Sequence, residues 1–147
     1  MNNNTDKGLQ GNEKIEEAIA GLQKETTQEM LAHTLTVIRR CMKADGQFII
    51  AVEPPKGDGQ IRLEAIKTED GRSWWAAFTS FEEELKGGGN VKSTFLTDID
   101  RLFETALTAD EIEGVILNPW NRTIMLDKYL IKVILGKIYK IFAEIRL

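Results

Sequence analysis

The hydrophobic pattern changes period at Gly46, and that break constrains the fold more than any other feature of the chain. Before it, Ile15, Ala18, Ile19 and Leu22, and then Leu31, Leu35, Ile38 and Met42, recur at helical spacing. After it, Phe48, Ile49, Ile50 and Val52 form a β-branched and aromatic run that Pro54-Pro55 ends. Ile61, Leu63 and Ala65 then alternate with Arg62 and Glu64, and 72–78 reads as another strand, with Trp74, Ala76 and Phe78 on one face and Trp75 and Ala77 on the other. A chain that carries both periods without strict strand–helix alternation must stack helices on a sheet. The expected class is α+β: a single domain with a mainly antiparallel or mixed sheet of about five strands and flanking helices.

Residues 1–11 are Asn-rich and poor in apolar side chains, and are expected to be a flexible tail, leaving 12–147 as one domain. Asn12 is the expected cap of the first helix, and Thr26 or Thr27 that of the second, Thr26 and Glu29 having capping-box spacing. Asp70-Gly71 signals a hairpin with positive φ at both central positions, so the three strands over 47–78 are expected to form a meander. Ser80 and Glu83 again have capping-box spacing, for a helix that Gly87-Gly88-Gly89 stops. Further on come a strand at 91–96, a helix capped by Asp98, a turn suggested by Thr108 and Glu111, a short buried strand at 115–117 and a return strand at 123–126. Asn118-Pro119 disfavours helix at Asn118 and marks a turn through Arg122. Asp127 caps a last helix with the stripe Leu130, Ile134, Ile138, Ile141, Phe142 and Ile145; run to Leu147, it would be about 30 Å long.

Composition removes several function classes. The net charge of −4 gives no cationic footprint for nucleic acid. One Cys forms no internal disulfide and one His builds no zinc site, so no metal or other cofactor is expected. The start of the chain is polar and no run approaches a membrane span, which makes a cytoplasmic protein the expectation. Charge is uneven: residues 119–147 hold six basic and two acidic side chains, against the acidic remainder.

The stretch from Thr68 through Trp74, Trp75, Ala76, Ala77, Phe78, Thr79 and Ser80 to Glu82-Glu83-Glu84-Leu85 resembles the SseB N-terminal-domain family, named for enhanced serine sensitivity. Ile112-Glu113-Gly114-Val115-Ile116-Leu117-Asn118-Pro119 is similar to that family's Gly–hydrophobic–Asn-Pro signature, and the likeness spans roughly residues 45–136. It implies a cytoplasmic, bacterial type of α+β domain with no established catalytic residues or cofactor. Longer members carry a second, C-terminal domain, so roles that depend on it are not expected of these 147 residues. The second Trp of Trp74-Trp75 departs from the family's usual single aromatic or apolar residue.

The remaining chemistry-bearing residues read as structure. His33 sits within the second helix with no nucleophile elbow in the chain. Cys41, beside Arg39-Arg40, reads as a small buried hydrophobe rather than a reactive thiol. Asp98 and Asp100 read as a cap and a first-turn acid, Gly87-Gly88-Gly89 as a helix stop, and Glu82-Glu83-Glu84 as a solvated helix face. What remains is contact surface: Trp75, Trp120 and the basic, broadly apolar last helix. The expected function is a non-enzymatic protein-interaction or binding module, acting on a protein partner or by self-association as a homodimer through the C-terminal helix. The alternative is a small-molecule-binding or catalytic domain near the Asn118–Arg122 turn and the Trp75 face, with Asn118 and Arg122 as polar contacts.

Overall fold

The period break separates two helices from the first strand of a mixed sheet. A computed structural model describes residues 6–54, 57–88 and 93–137. After a 3-10 turn at Lys7–Leu9 come α1 (Asn12–Lys24) and α2 (Gln28–Lys43), then β1 (Gln47–Val52), β2 (Ala65–Lys67) and β3 (Ser73–Phe78). The chain continues through α3 (Phe81–Leu85), β4 (Ser93–Asp98), α4 (Ile99–Thr108), β5 (Gly114–Leu117), β6 (Ile124–Asp127) and α5 (Lys128–Leu135). The six strands form one sheet in the order β4-β1-β3-β5-β6, with β2 alongside β3. All neighbours are antiparallel except β3 and β5, whose register runs from Trp74↔Gly114 to Ala77↔Leu117. This is the α+β single domain the pattern predicts.

Strand alternation gives the sheet two unlike faces. Phe48, Ala77, Val115, Leu117, Ile124 and Leu126 join Ile15, Ile19, Ile38, Phe103, Ile131 and Ile134 in one core, so α1, α2, α4 and α5 all cover the same face. Phe48 meets Phe103 edge-on with ring centroids 6.1 Å apart. On the opposite face Ile49, Ala76 and Phe78 form a smaller cluster against Leu9 and Ile66. Trp74 shares that face and is buried, while Trp75 lies half-buried at the margin of the helical core. Gly114 is set by close packing: a Cβ there would fall 2.1 Å from the Leu126 carbonyl oxygen.

Local details depart from the sequence reading, each for a physical reason. The expected tail holds the Lys7–Leu9 turn, because Leu9 finds apolar cover on the sheet. Gly11, not Asn12, caps α1; Asn12 opens the helix and turns inward, donating from Nδ2 to Gln47 O (2.8 Å) and Thr79 O (3.0 Å). Thr27 caps α2 by accepting from Met30 N, while the Thr26 hydroxyl bonds back to Leu22 O. The strand expected at Ile61–Ala65 is displaced: Leu63 makes one bridge to Val52, pairing resumes at Ala65–Lys67, and Ile61 is exposed. The three strands are not a simple meander, because β1 leaves β2 and pairs directly with the end of β3, at Ile49↔Phe78 and Ile50↔Ala77.

The Asp70-Gly71 turn needs only one positive φ, at Gly71 (87°). Thr68 accepts from Gly71 N and donates to Arg72 O, the form of a turn followed by a bulge. The Thr68 hydroxyl and Arg72 N–H bonded to the Asp70 carboxylate hold it below its ordinary pKa. Asp98 sits at the cap position of α4 without capping it and accepts from Gln47 Nε2 instead. α4 ends at Thr108, and the expected turn follows it as a non-helical one, closed by Ile112 N donating to Ala109 O (3.4 Å). α5, the last helix among the described residues, ends at Leu135, where Gly136 takes the left-handed conformation (φ 76°) of a C-terminal glycine stop. Ile138, Ile141, Phe142 and Ile145 of the expected stripe lie outside the described residues, as do the first two residues of the expected 91–96 strand. Among the described residues no helix is long and apolar enough to cross a membrane.

Candidate functional site: a pinned turn beyond two parallel strands

The one parallel pair among the described strands places Thr79 and Asn118 side by side, just past the C-terminal ends of β3 and β5. Ends of neighbouring parallel strands are where backbone pairing stops and side chains must take over. Asn118 is fully buried and left-handed (φ 56°), a conformation that Asn tolerates better than most residues. Its N–H donates to Ala77 O at 2.8 Å, and its Oδ1 accepts from Thr79 N at 2.9 Å. Its Nδ2 donates to Thr79 Oγ1 (3.0 Å), whose hydroxyl in turn donates to Glu16 Oε2 on α1 (2.5 Å). Glu16 closes the chain by pairing with Arg122 at 3.2 Å.

The rest of the turn is fixed by the same means. Thr123 Oγ1 donates to Asn118 O at 2.5 Å, and Asn121 Nδ2 donates to Glu83 at 3.1 Å. Glu83 is 3% exposed, which corrects the expectation of a solvated acidic face: it turns inward to Asn121 and Lys86, while Ser80 caps its N–H. Trp120 sits on the Gly87 backbone; a Cβ on Gly87 would lie 2.2 Å from the indole nitrogen, so this glycine makes room for the ring as well as ending the helix. Even so, Trp120 remains 45% exposed.

The structure brings together three of the four residues singled out from sequence, in one turn with distinct roles. Asn118 is a buried anchor, Arg122 an ion-pair partner, and Trp120 the group left facing solvent. Trp75 is not with them. It lies nearer the start of β3 and lines a separate cleft of about 580 Å³ with Ile61, Arg62, Thr105 and Glu111. Sequence reasoning missed Asn12, Glu16, Thr79, Glu83 and Asn121, all of which pin the turn through contacts 35 or more residues apart, such as Asn12 to Gln47 and Arg122 to Glu16. The available signal was that the strand in each of the two motifs stops just before Thr79 and just before Asn118 respectively; these strand ends meet.

Chemically this arrangement is closed. The Asn118 amide and the Thr79 hydroxyl spend their hydrogen bonds on each other and on Glu16, and the Arg122 charge is matched. Such a network specifies a conformation; it offers no poised acid, base or nucleophile. Among the described residues there is no group of three or more His, Cys, Asp or Glu that could hold a metal ion. His33 is exposed on α2. Cys41 is half-buried, with Sγ 3.4 Å from Gly11 O, and burial pushes its thiol pKa up while Lys14 pulls it down more weakly.

Compared with known proteins, the chain matches no family model, and neither the curated proteins nor the solved structures include a significant match to it.

Proposed function

We propose that the chain is a non-enzymatic protein-interaction module that contacts its partner through Trp120, presented on the Asn118–Arg122 turn. The observation that carries this reading is a half-exposed indole on a loop whose neighbours are all tied down. Tryptophan is enriched among the few interface residues that dominate binding energy, and a loop already held in its bound shape loses less entropy on association. The resemblance of residues 45–136 to the SseB N-terminal-domain family, which has no established catalytic residues or cofactor, agrees with a non-enzymatic reading.

A photoreactive residue at position 120, with one at the exposed Tyr129 as control, tests the reading in an extract of the source cells. A discrete protein adduct at 120, absent at 129 and competed by excess wild-type chain but not by Trp120→Ala, is the expected result. Equal labelling at both positions, or none, overturns it. Sedimentation velocity over a concentration series tests whether the partner is a second copy of this chain: a mass that doubles in the wild type but not in Trp120→Ala identifies self-association through this turn.

A further inference from the structure

Asn12 also lines a cleft of about 330 Å³, between the Lys7–Leu9 turn, the first turn of α1 and the C-terminal half of α2. That volume is at the small end of metabolite and cofactor sites. Its lining includes Lys7, Lys14 and Arg40 and no carboxylate. Among the described residues none of these three cations enters an ion pair. The N-terminus of α1 opens on the same cleft through Gly11 and Asn12, and no side chain caps it, so the positive end of the helix adds to the field.

A second, independent feature points to a ligand. Asn12 lines the cleft, is 1% exposed, and its Oδ1 has no hydrogen-bond partner. Its orientation is not arbitrary: Nδ2 already donates to both Gln47 O and Thr79 O, so reversing the amide would break both bonds. A buried acceptor fixed in this way calls for a donor from outside the chain. Val37 and Cys41 add apolar surface to the lining.

We propose that this cleft binds a small molecule bearing an anionic group, phosphate or carboxylate, together with a hydroxyl or amino donor: Lys7, Lys14 and Arg40 hold the anion and Asn12 Oδ1 accepts from the donor. This goes beyond the Trp120 reading and does not depend on it: Lys7, Lys14 and Arg40 take no part in the turn, and the one residue common to both is Asn12, whose Nδ2 bonds on the turn side while its Oδ1 does not. The thiol of Cys41, kept neutral by burial, brings no competing negative charge.

Four probes separate the parts of the claim: glycerol 3-phosphate (phosphate plus hydroxyl), malate (carboxylate plus hydroxyl), succinate (carboxylate alone) and glycerol (hydroxyl alone). They are titrated against the full chain by calorimetry and by the NMR shift of the Asn12 side-chain amide. Saturable binding of glycerol 3-phosphate or malate, at least about tenfold tighter than succinate and glycerol, is expected, and the better of the two identifies the anion. The exposed pair Lys14→Glu and Arg40→Glu should weaken it about tenfold or more with the fold intact by circular dichroism. The bound probe should also slow alkylation of Cys41. Glycerol binding as well as the charged probes, succinate matching malate, unchanged affinity in the charge variants, or no saturation by any probe below about 10 mM would each overturn the proposal.

Discussion

The turn at Asn118–Arg122 and the cleft beside Cys41 are built from similar residues and end up opposite in character. At the turn, Asn118, Thr79, Glu16 and Arg122 satisfy one another, and what remains available is the apolar Trp120. At the cleft the walls hold three cations with no acidic neighbour in the lining and one buried acceptor without a donor. Asn12 joins the two, its Nδ2 belonging to the closed network and its Oδ1 left over. Polar residues alone therefore do not mark a site. A closed network rigidifies what it surrounds, and an open one retains interaction energy for something else.

The sharpest way to break this comparison is at Asn118. Asn118→Ala removes the bonds to Thr79 and leaves a residue with a Cβ in the left-handed region, so a loss of about 3 kcal/mol in urea unfolding is expected. Asn118→Gly should recover the backbone part but not the hydrogen bonds. Stability unchanged in both variants would mean the turn is not held by this network. Glu16→Ala comes next: it strands the Thr79 hydroxyl and the Arg122 charge together, and about 2 kcal/mol should be lost, while Glu16→Gln retains part of it. Trp120→Ala should cost less, about 1 kcal/mol or under, because half of the ring is already in water. That small value, combined with loss of the crosslinked adduct, would separate a contact residue from a structural one.

The smallest expected effect lies at the cleft. Cys41 has a folded-state pKa raised above 9.0, its ordinary value, so its contribution to stability is whole below that pH and is lost as pH rises through the folded-state value. Alkylation by iodoacetamide, followed against pH, should show a midpoint above that of a free thiol. Lys14→Glu should move the midpoint further up, since Lys14 is the charge that lowers it. A midpoint below 9.0 would make Cys41 a reactive thiol and the cleft a different kind of site.

The elements themselves were legible. Helical and strand periods, Ser80 and Asp127 as caps, and the Asn-Pro turn appear in the structure within a few residues of where the pattern puts them. Of the candidate site, Asn118, Trp120 and Arg122 were legible through that turn. Their partners were not, because Glu16, Thr79 and Glu83 look on sequence like a helix acid, a strand end and a solvated acidic run. Trp75 was grouped with the turn only because both are aromatic contact candidates; its position along β3 puts it in another cleft.

What the sequence by itself determined is the local grammar. The period of the apolar residues chooses helix or strand, and Gly and Pro choose where each stops. What only the tertiary structure decided is which polar groups are spent and which are left. That depends on the parallel placement of β3 beside β5 and of α1 across their ends, which brings residues up to 106 positions apart within hydrogen-bonding distance. Periodicity acts over a few residues, whereas hydrogen-bond satisfaction is settled by neighbours in space, and only the fold supplies those.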